Sequence, residues 1–153
     1  MKNMRIKGMM LFLMTALLFF PVKAEAVGIL DTTKEVTLTI SCKDGDRGIA
    51  NAGFEIYQIG GITEAAEIIP NAAFDGRLPK LRELSGSEWR DLTQELCQLT
   101  QGENLAPVDS GYTDENGMLR FPQDGKKLEQ GLYLIVGGSA RQNGYSYTLS
   151  SCL

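Results

Sequence analysis

Residues 113–136, TDENGMLRFPQDGKKLEQGLYLIV, decide the fold. Asp114-Glu115-Asn116-Gly117 reads as a tight turn, with Gly117 free to take a positive φ. Leu119 and Phe121 then alternate inward, 122–125 bend the chain, and Gly131 leads into LYLIV. A short apolar run of that kind is the pattern of a buried strand. The stretch holds no evident nucleophile and no set of metal ligands.

Working outward, KEVTLTISC at 34–42 alternates strictly, with Val36, Leu38, Ile40 and Cys42 on one face. KDGDRG at 43–48 follows as a turn. Asp44 and Asp46 read there as solvated turn residues, because the further oxygen ligands of a calcium loop do not follow in register. AGFEIYQIG at 52–60 is the next strand, with Phe54 and Ile56 inward. The segment 62–85 carries breakers at Pro70, Asp75-Gly76 and Pro79, with room for short strands only. LPKLR at 78–82 lacks the Thr and Gly of a sortase signal.

Ser85 to Gln101 is the one helix. Ser85-Gly-Ser-Glu88 fits a capping box, Trp89, Leu92, Leu96 and Leu99 recur at helical spacing, and Gly102 ends it. Gln142-Asn143-Gly144 marks a hairpin, with Tyr145 to Leu153 as the last strand. Closely spaced strands and one inserted helix predict a mainly β protein, a β-sandwich.

The first residues stand apart. Lys2, Arg5 and Lys7 precede an apolar run of about 12 residues, then Pro21 and the small-x-small site Ala24-Glu25-Ala26. The layout is that of a signal peptide, 1–26, cleaved after Ala26. The run is well short of the roughly 20 residues that cross a bilayer as a helix, so no stable transmembrane anchor is expected. The remaining 27–153 form one domain, large enough to bury a core without staples. Removing the leader's four basic residues and one acid takes the net charge from −4 to −7. Such a chain repels phosphate backbones, and nucleic acid is excluded as a partner.

The chain has no histidine, which removes Ser-His-Asp and Cys-His catalysis and the common zinc sites. No metal or cofactor motif is present, and no group of residues assembles the partners that an enzyme needs. Cys42, Cys97 and Cys152 are an odd number for an oxidising compartment. They read most simply as small buried residues. A Cys42–Cys152 bridge is the alternative if first and last strands are neighbours.

TDENG at 113–117, Phe121 and GLYLIV at 131–136 resemble the second half of a collagen-adhesin B-type, prealbumin-like domain. VTLTI at 36–40 and IANAGFEIY at 49–57 resemble its first half, and SGSEWRDL at 85–92 the helical insert of its pilin-related version. The resemblance implies a surface module of Gram-positive bacteria, of the kind found in sortase-assembled pili and adhesins. Its partners would be other pilin subunits or a host extracellular ligand. Many such domains lock themselves with a Lys–Asn isopeptide bond. Here Cys42 stands where that lysine belongs, Lys43 is one step out of phase and should face solvent, and Gly137 replaces the assisting glutamate. No isopeptide bond is therefore expected.

The functional expectation is a non-catalytic, extracellular structural or adhesive module, either a small secreted relative or a reading frame truncated at its C-terminus, where an incomplete last strand would invite strand-mediated self-association. The second reading is a carbohydrate- or peptide-binding module, with Tyr145 and Tyr147 on one strand face as contacts.

Overall fold

The computed structural model describes residues 29–123 and 125–153; the leader assigned to 1–26, with its cleavage after Ala26, lies outside them. The described chain is mainly β, with several small sheets and one α-helix.

Its hub is the strand β4, Gly53–Ile62. Along one edge β4 pairs antiparallel with β8, Gly131–Gly137, from Phe54↔Gly137 to Gly61↔Gly131, with a bulge between Gln58 and Gly60. Along the other edge two short strands share its length: β6, Asp109–Tyr112, and β5, Ile68–Pro70. Alternation along β4 sends its side chains to two separate cores. Phe54 and Ile56 point to one, Tyr57 and Ile59 to the other.

The first core is closed by β1, Leu38–Ser41, paired antiparallel with β7, Met118–Phe121, so that Leu38 opposes Phe121 and Ile40 opposes Leu119. The hairpin of β9, Ser139–Gln142, and β10, Tyr145–Thr148, adds Ala140, Tyr147 and Leu149. The second core lies under α1, Gly86–Gly102. Its buried Leu92, Leu96 and Thr100 fall at four-residue steps, one stripe of a helix, and pack over Tyr57, Ile59, Phe74 and Leu134. Each apolar side chain buried in this way contributes about 1.5–3 kcal/mol. The capping box is formed: the Ser85 hydroxyl accepts from the Glu88 N–H at 3.4 Å, and the Glu88 carboxylate accepts from the Ser85 N–H at 2.7 Å. Such a cap contributes about 1 kcal/mol.

Both turns read from the sequence have the backbone they require. Gly117 has φ +74°, and a β-carbon there would overlap the Cys42 carbonyl. Asn143 and Gly144 have φ of 53° and 82°, the signature of a type I′ hairpin. Asp44 and Asp46 are exposed in the small hairpin between β2, Lys43–Asp44, and β3, Arg47–Gly48.

Several boundaries differ from the sequence reading, and β4 runs on through Gly60-Gly61 to Ile62. The first strand begins at Leu38 and not at Lys34, although Val36 still donates its N–H to the Leu128 carbonyl at 3.1 Å. Gly102 is the last helical residue, with Glu103 as cap. The segment 62–85 holds one short strand, β5, as the sequence allows, and two 3-10 turns, Ala72–Phe74 and Leu81–Glu83; the first buries Phe74. β10 ends at Thr148, but its register runs on: Thr148 opposes Ser139, the Leu149 N–H donates to the Gly138 carbonyl at 3.1 Å, and Cys152 opposes Ile135, so the last residues follow β9 back onto β8.

Candidate functional site

The outer edge of β8 is the first candidate. Ile135 N–H donates to the Cys152 carbonyl at 2.8 Å, and Cys152 N–H returns to the Ile135 carbonyl at 3.0 Å. The bridge keeps the register of the β9–β10 hairpin, so the chain itself occupies this edge down to Ile135.

Tyr145 and Tyr147 share one face of the β9–β10 hairpin, as alternation requires, but their surroundings differ. Tyr145 is 66% exposed. Tyr147 is half-buried against the first core and donates its hydroxyl to Asp44 at 3.2 Å. That bond ties the hairpin to the β2–β3 turn, so Tyr147 is largely committed to the fold and Tyr145 alone is free for contact. Gln142 makes a second tie, accepting from the Ala50 N–H at 2.8 Å.

The three thiols are free. Cys42 packs beside the first core and Cys97 beside the second, while Cys152 is exposed. Burial raises the Cys42 thiol, and burial followed by the neighbouring Cys97 raises that of Cys152. Cys97 and Cys152 line the same groove, with Trp89, between α1 and the C-terminal residues. Thiol titration of the unfolded protein is expected to count three groups. In the folded protein, brief maleimide labelling followed by peptide mapping should find Cys152 modified first.

Lys43 is exposed, as its phase predicts. The position of Gly137 is closed to any side chain, since a β-carbon there would sit 2.6 Å from that of Leu149. A different amine and carboxylate do meet. Asp109, 2% exposed, accepts from the Gln123 N–H at 2.7 Å, the Ser110 N–H at 2.9 Å and Lys126 Nζ at 2.6 Å. Burial alone would raise the Asp109 carboxyl, but these donors outweigh it and hold it below the usual carboxylate range. Asp109 pins the loop after β7 to β6. Sequence patterning did not single it out; its one signal is an acid at an inward position opposite Ile56.

Among the described residues no group of three or more His, Cys, Asp or Glu is placed to hold a metal, and no helix is long and apolar enough to cross a membrane. Compared with family models, curated proteins and solved structures, the chain matches none.

Proposed function

We propose that the chain is a non-catalytic, exported structural or adhesive module of a Gram-positive cell surface, a prealbumin-like sandwich of the collagen-adhesin B type. The observation that carries this reading is where the resembling segments fall. VTLTI runs into β1, GFEIY opens β4, TDENG turns into β7, and GLYLIV is β8. Val36, Leu38, Ile40, Phe54, Ile56, Leu119, Phe121, Tyr133 and Ile135 from those segments all belong to one core. Agreement among separate local signals is what a sequence written for a single packed shape provides.

In this reading the partner is a further pilin-like subunit or a host extracellular ligand, with strand addition as the mode of self-association. Beads coated with the mature protein are expected to be retained on an extracellular-matrix surface, and light scattering should show association rising with concentration. Retention no better than with heat-unfolded protein would remove the adhesive reading. A monomer at every concentration would remove strand-mediated association.

A further inference from the structure

α1 covers only part of the central sheet. The face it packs on runs in rows across β6, β4 and β8, and the row of Tyr57 and Leu134 is buried beneath it. Past the C-terminal end of the helix two rows remain open. One holds Ser110, Glu55 and Val136; the next holds Tyr112 and Gly53, with Gly138 bonded to the Gly53 carbonyl at 3.0 Å. With Gln101 from the last turn of α1, they line a groove of about 430 Å³.

Its composition is unusual for a sheet face. Tyr112 is 72% exposed, and one edge of its ring lies over Gly53, where a β-carbon would come within 3.1 Å. The ring is thus held against the sheet with most of its surface open. Glu55 is exposed but oriented: Tyr57 donates its hydroxyl to Glu55 Oε2 at 2.7 Å. Burial, then the bond to Glu55, pushes the Tyr57 phenol up to about 12, so it stays protonated as the donor. Glu55 Oε1 accepts nothing from the described residues. Gln101 and Ser110 add an exposed amide and hydroxyl, and Gly138 leaves one side open for lack of a side chain.

The geometry points to a saccharide-binding subsite at this face, taking one neutral pyranose unit. An aromatic surface ringed by a carboxylate, an amide and a hydroxyl matches a ring with one apolar C–H face and a rim of hydroxyls. Glu55 and the negative charge of the mature chain select against acidic sugars. An added peptide strand is disfavoured here, because β4 is bonded on both edges by β6 and β8, which leaves recognition to side chains. The inference rests on the adhesive reading and gives it a ligand class.

Titrating ¹⁵N-labelled mature protein with chitotriose, maltotriose and lactose tests it. Amide shifts are expected at 53–55, 110–112 and 136–139, with a Kd of about 1 mM for at least one sugar. Tyr112→Ala should weaken binding about tenfold. Glu55→Gln should weaken it too, with the unfolding midpoint unchanged because the carboxylate is exposed. No shift at these residues with any of the sugars overturns the subsite, as does unaltered affinity in Tyr112→Ala. Shifts there from a lysine-rich peptide alone also overturn it. Bead retention that persists in saturating sugar, beside a null titration, would leave the adhesive module standing and remove only its saccharide ligand.

Discussion

Phe121→Ala is expected to lower the unfolding free energy by about 4 kcal/mol. Phe121 is fully buried at the end of β7, opposite Leu38 and within the core that joins the β1–β7 ribbon to β4 and β8. Truncation forfeits its transfer energy and leaves a cavity walled by strands held in ladders, which cannot collapse into the space. A domain of this size has a total stability of roughly 5–15 kcal/mol, so the variant should sit near the limit of folding at 37 °C. Urea denaturation followed by far-ultraviolet dichroism checks it: the midpoint should fall with the slope unchanged. Leu96→Ala, which empties the other core under α1, should cost about 3 kcal/mol. A loss below about 1 kcal/mol for Phe121→Ala would mean that the two layers are not joined through that residue.

Asp109→Ala should cost about 3 kcal/mol, because it strands the Gln123 N–H and the Lys126 ammonium that the carboxylate now satisfies. Lys126→Met is expected to cost less, about 1 kcal/mol, since its side chain is half exposed and water can take part of its role. The pH dependence has a definite sign. The folded carboxyl lies below its unfolded value, so the folded state binds the proton more weakly. The contribution of Asp109 is therefore fully present above the usual carboxylate range and is lost as pH falls through it and below. Wild-type protein should lose more stability on acidification from neutral pH than Asp109→Ala does. Parallel curves of midpoint against pH for the two proteins would show that Asp109 carries no such linkage.

Much of the fold was legible wherever a local pattern faces one environment. Strict alternation at 36–42 and 118–121, the capping box at Ser85 and the Asn143-Gly144 turn each need only their own neighbours, and each lies where the sequence places it. The failures share a cause. Asp109 looks like any surface acid until the loop bearing Gln123 and Lys126 folds onto it. Tyr145 and Tyr147 are equivalent by alternation, and only the arrival of Asp44 from another hairpin separates them. Tyr112 carried no pattern of its own; Gly53, on a strand nearly sixty residues away, gives its ring a place to rest.

The longest strand pairing among the described residues joins β4 to β8, from Gly61↔Gly131 to Phe54↔Gly137, segments separated by about half of the chain. Until the later one has been delivered, the earlier has no mate along that side, and neither core can be shut. Closing so wide a loop is slow compared with local turns. A polypeptide threaded end-first through a narrow pore would therefore stay pliable for nearly its whole passage and acquire its shape only on the far side.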